Sequence, residues 1–117
     1  LEYLRKGRIE EAEELLEKAY YDYLKEDAVL FRNIPIENLT TELLEQHNYT
    51  QGHLEILSEL FYAEGELCIC KGKSEDAKSY FTKVKALLGF VMSESKTYSP
   101  EHMEKIDQIS KRIQQTD

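Results

Sequence analysis

Two cysteines, three histidines and one carboxylate set into an apolar helix face are the side chains here whose chemistry could exceed packing. Cys68 and Cys70 stand two apart. On a helix their side chains diverge by about 200°, too far for a mutual disulfide, and no second Cys pair exists to complete a zinc set. Both are expected as free thiols, which suits a cytoplasmic protein. His47, His53 and His102 are dispersed, and no acidic residue lies at ligand spacing between the first two. No nucleophile sits on a strand-to-helix elbow. No glycine loop is placed to cradle phosphate, because Gly65 and Gly72 fall inside and just after a helix. The expectation is therefore a protein that is not an enzyme, with no catalytic residue, metal or cofactor.

Glu64 is the sharper case. At 100° per residue, Ile56, Leu60, Ala63, Leu67 and Cys70 form one apolar stripe and Leu57, Phe61 and Cys68 a second beside it. Glu64 falls between the two. A carboxylate there must be hydrogen-bonded, paired with a cation or raised in pKa. A local polar contact, for instance to a tyrosine hydroxyl, is the plainer expectation; a functional acid beside a small-molecule pocket is the other. The opposite face of the same helix carries Glu55, Glu59, Tyr62 and Glu66, a candidate interaction surface.

Charge narrows the partners. The chain carries net −8, and Leu1–Glu64 alone holds 15 acidic against 6 basic side chains, net −9. Phosphate backbones need a basic surface, so nucleic acid is not an expected partner. The one basic cluster, Lys71, Lys73, Lys78, Lys83 and Lys85, is expected as a solvated helix face beside a turn rather than an anion site. The longest apolar run, Ala86 to Met92, is far short of the roughly 20 residues of a membrane helix, so no membrane partner is expected.

The elements that must position these residues are nearly all helices. One domain of 117 residues is expected, with only two prolines and five glycines to interrupt it. A short opening segment ends at Gly7. Leu1 stands where that helix has already begun, which is compatible with an upstream segment. A long helix follows with Ile9, Ala12, Leu16, Ala19, Tyr20, Tyr23, Leu24, Ala28 and Phe31 on one face, ending near Asn33 ahead of Pro35. Pro35 suits the first turn of a third helix bearing Leu39, Leu43 and Leu44. The fourth helix spans about Gly52 to Lys71. The fifth opens on Ser74 as N-cap, with Glu75 and Asp76 favouring the dipole. Its face is Ala77, Tyr80, Phe81, Val84, Leu87, Leu88, Val91 and Met92. Ser99-Pro100-Glu101 starts a sixth helix with the stripe Met103, Ile106, Ile109 and Ile113.

Two segments share punctuation. Gly7 is followed by Ala12, Leu16 and Ala19, and Gly72 by Ala77, Phe81 and Val84, at identical offsets. Phe61, Gly65, Cys68, Gly72, Ala77, Phe81 and Val84 together resemble one tetratricopeptide repeat, and Tyr3, Gly7, Ala12, Leu16 and Ala19 resemble the later part of another. The two turn glycines lie 65 residues apart in the sequence, not the 68 of two successive repeats, so the unit between is degenerate or replaced. Glu64 also stands where the family usually has leucine. The layout resembles, too, small uncharacterised bacterial proteins with a repeat-like hairpin at each end. The repeat resemblance implies an all-α fold of about five to six helices, antiparallel hairpins stacked as a short right-handed solenoid. It implies a scaffold binding a protein or peptide through a groove or end face.

The family's peptide-clamping members line that groove with Lys, Arg and Asn, where this chain has Glu55, Glu59, Tyr62 and Glu66. A basic partner segment is therefore expected here. Tyr21 and Tyr62 are expected at an interface, and Tyr20, Tyr23 and Tyr80 in the core. Homodimerisation through an incompletely covered end is the simplest completion of the stack.

Overall fold

The computed structural model describes residues 9–26, 28–45, 49–95 and 100–115. Within them the chain is all-α, with six α-helices and one 3-10 turn. These are α1 (Ile9–Leu24), α2 (Ala28–Arg32), the 3-10 turn (Ile36–Asn38), α3 (Leu39–Glu45), α4 (Gln51–Cys70), α5 (Ser74–Ser95) and α6 (Pro100–Gln115). Gly7, the first of the two turn glycines, lies outside the described residues, as do His47 and the side chain of His102.

The α4–α5 hairpin is the body of the molecule and makes the most extensive helix contact. Its turn is Lys71-Gly72-Lys73, with Gly72 at φ 75°, a backbone region glycine enters without penalty. Gly72 N–H donates to the Ile69 carbonyl and Lys73 N–H to the Cys68 carbonyl, which satisfies the end of α4. Farther along the interface, a Cβ on Gly65 would lie 2.5 Å from Cε1 of Phe81. The glycine is thus a seat for that ring, and fully buried Ala77 lets the two helices close near the turn. Around them Leu54, Leu57, Phe61, Phe81, Val84 and Leu87 are fully buried, each contributing about 1.5–3 kcal/mol by leaving water.

The other helices pack outward from this hairpin, α1 against α4 and α6 against α5. α6 is anchored by fully buried Ile109, with Ile106 and Ile113 partly buried beside it. Met103, expected on the same stripe, is exposed.

The long second helix of the sequence reading is in fact two. α1 ends at Leu24, Lys25 adopts φ 62°, and α2 restarts at Ala28. The Tyr49 hydroxyl lies 3.1 Å from the Leu24 carbonyl and 2.8 Å from Glu26, so a side chain 25 residues away serves the end of α1. The break narrows the buried row of α1 to Leu16, Tyr20 and Leu24 and lets Ala28, Phe31 and Ile34 enter the core from another direction. Tyr23 is consequently 64% exposed rather than in the core. Ala12 and Ala19 are half-buried. Pro35 precedes the 3-10 turn with extended backbone (φ −62°, ψ 148°) instead of sitting within a helical turn. α4 begins with a capping box: the His53 N–H donates to Thr50 Oγ1 and Thr50 N–H to His53 Nδ1. His53, one of the histidines weighed for chemistry, is thus a cap. Ser74 is the first residue of α5.

Candidate functional site

Glu64 is 4% exposed on α4, and Arg32, the last residue of α2, answers it. Nε and Nη2 of Arg32 donate to the same oxygen, Oε1, at 3.0 and 2.6 Å. The close partner is a cation 32 residues away, and the Tyr20 hydroxyl also interacts with the same carboxylate. Burial disfavours the guanidinium charge, yet the hydrogen bond and charge of Glu64 outweigh it and raise the Arg32 pKa. Arg32 also approaches Glu17 of α1 at 3.7 Å and lies 5.8 Å over the ring of Tyr20. Tyr20 is fully buried and stacked on Phe31 at 5.6 Å, and among the described residues its hydroxyl makes no close hydrogen bond, Glu64 being the acceptor it lies toward. Burial and then the Glu64 charge push that phenol well above the ordinary tyrosine range. The same two causes raise Tyr80, on α5, to about 12.

The pair forms one wall of an open polar cleft of about 410 Å³ between α1, the α2 end, α4 and α5. Lys71 and Lys73 of the α4–α5 turn stand along it, and Lys83 of α5 reaches in from the far side. Three members of the basic cluster therefore share a concavity with Arg32; Lys71 and Lys73 are solvent-exposed beside the turn as expected, and Lys83 is the one that is buried. Lys85 alone of the cluster is plainly exposed outside it, and Lys78 is half-buried.

Lys83 is only 7% exposed. Its Nζ lies 3.5 Å from the Arg32 carbonyl, 5.7 Å from the Phe61 ring and 5.9 Å from the Tyr80 ring. It makes no ion pair among the described residues. Desolvation lowers its pKa. Nothing in the sequence marked it beyond membership of a lysine run. Its place three residues after Tyr80, at the edge of the α5 apolar face, was the available signal.

The cleft is lined by charged side chains of both signs. Cys68 on its floor is a buried thiol whose pKa is raised, first by desolvation, so it is a poor nucleophile. Cys68 and Cys70 are both free, the latter exposed. Among the described residues, no three His, Cys, Asp or Glu side chains converge as a metal set.

The acidic face of α4 is partly occupied from within. Arg112 of α6 donates to Glu66 Oε1 at 2.5 Å, and Lys105 lies 5.6 Å over the Tyr62 ring, which also packs on Phe81 at 5.5 Å. Burial and the Glu66 charge raise the Tyr62 phenol. The chain's own last helix thus supplies basic side chains to this surface. Glu59 remains exposed and Glu55 half-buried. Tyr21 stands elsewhere, 60% exposed, beside Val29 and Leu30 at the α1–α2 corner.

No protein family matches the chain, and no curated protein or solved structure shows significant similarity to it. Among the described residues, no helix is long and apolar enough to cross a membrane.

Proposed function

We propose that this chain is a non-enzymatic helical module that binds another protein, and that it docks through the corner between α1 and α2. The observation that carries the reading is the exposed cluster of Tyr21, Val29 and Leu30 around a shallow depression of about 470 Å³. Val29 and Tyr21 are each about three-fifths exposed; Tyr21 is an aromatic anchor of the kind enriched among interface hot spots, and Val29 extends the apolar patch beside it. Glu26 and Lys25 line the depression, while Glu10, Glu14 and Asp22 are exposed on the adjoining α1 and make its surroundings acidic. A partner segment with apolar anchors flanked by Lys or Arg suits such a rim. A second copy of this chain fits less well, because it would set one acidic α1 against another. The helical hairpins and their resemblance to tetratricopeptide repeats are compatible with this role.

Selection of binders from a random peptide library against the folded chain tests it. The expected binders combine apolar anchors with basic flanks and lose affinity at least about tenfold for Val29→Glu. Binders that retain full affinity for that variant, or that lack the basic flanks, would refute the assignment.

A further inference from the structure

We propose that the cleft between α1, α4 and α5 is a binding site for a small molecule bearing an oxyanion, with the Lys83 ammonium as its anchor. An ammonium offers three donors, and among the described residues Lys83 meets only one carbonyl at the outer limit of hydrogen bonding and two ring faces. A cation removed from water without a carboxylate partner is costly. An oxyanion entering the cleft would supply the missing acceptors.

The charges lining the cleft sum to zero, but they are unevenly paired. Glu64 and Glu17 are committed to Arg32, and Glu13 to Lys71 at 3.4 Å. Two lysines, Lys83 and Lys73, then face one uncommitted carboxylate, Asp76. The cleft as a whole is neutral; what stands unpaired at its buried end is the Lys83 charge, where low dielectric strengthens attraction. Asp76 and the committed carboxylates nearer solvent disfavour an extended polyanion. The volume of about 410 Å³ suits a small organic molecule. The polar walls suit one with hydroxyl or amino groups beside its oxyanion.

Side-chain NMR of lysine ε-methylenes, followed while inorganic phosphate or succinate is added to the whole chain, tests the site directly. Either probe should shift the Lys83 resonance saturably, with Lys85 unmoved. Comparing the probes tells a phosphate from a carboxylate preference. In calorimetry, Lys83→Met should weaken binding about tenfold or more and Lys85→Met should leave it within about twofold, as loss of one buried charge-assisted contact predicts. Should Lys83→Met fail to fold, the wild-type resonance still decides. A Lys83 signal that neither probe moves at tens of millimolar, or equal affinity in the wild type and a folded Lys83→Met, would overturn the assignment.

Discussion

Arg32 holds Glu64 in a place where a bare carboxylate would not stay folded. Arg32→Met leaves that charge buried and unpaired, and should cost about 3–5 kcal/mol in urea unfolding. Arg32→Met combined with Glu64→Leu should recover most of the loss, since the cost lies in the orphaned charge and not in the missing attraction. A single-variant loss under about 1 kcal/mol would mean that water already reaches Glu64. The need for a partner was legible from the two apolar stripes flanking Glu64. Its identity was not, because Arg32 sits on another helix and carries no periodic signal. Lys83 was hidden for the same reason: a lysine run signals charge, while burial depends on what packs over it.

Helix pairing turns on a single close approach. In Gly65→Ala the new Cβ would meet the Phe81 ring at 2.5 Å, and overpacking of that kind costs about 1–3 kcal/mol. Alanine's better helix propensity returns only about 1 kcal/mol. The expected outcome is a lowered thermal midpoint for Gly65→Ala, with Phe81→Leu costing less in that background than in the wild type. Independent, additive effects would show that the ring is not seated on the glycine. The Gly65, Gly72, Ala77 and Phe81 spacing made this hairpin readable in advance, because turn and close contact lie on one local stretch. The break between α1 and α2 was not readable. Lys25 enters φ 62° without a glycine or proline to announce it, and the end of α1 is served by Tyr49 from across the fold.

Over the whole molecule, buried phenols set how stability responds to alkali. Burial raises Tyr20, Tyr49, Tyr62 and Tyr80, the last to about 12 from an ordinary 10.0. Between pH 10 and 12 the unfolded chain has lost phenolic protons that the folded chain keeps, so stability must fall as pH rises. Lys83 acts oppositely. Between its lowered folded value and 10.5 the unfolded chain binds the extra proton, so its own contribution rises with pH and then levels off. Four phenols against one amine make the net fall steep above pH 10. Circular-dichroism melts should show the midpoint dropping across that window, with Tyr20→Phe reducing the drop. A midpoint unchanged from pH 9 to 12 would mean that the phenols titrate equally in both states.

The sequence by itself determined the helical class, the hairpin closing at Gly72, the buried face of α5, the Leu57, Phe61 and Cys68 stripe of α4, and the discomfort of Glu64. These follow from spacing within one helix or across one short turn. The other α4 stripe is only half-buried apart from Leu67, and its Cys70 is exposed. Only the tertiary structure decided that Arg32 meets Glu64, that α6 lays Lys105 and Arg112 on the acidic face of α4, and that Lys83 closes a cleft with Arg32. Periodicity tells which side of a helix avoids water. It does not tell which other helix will lie against that side, and charged partners are chosen only when the helices have found their neighbours.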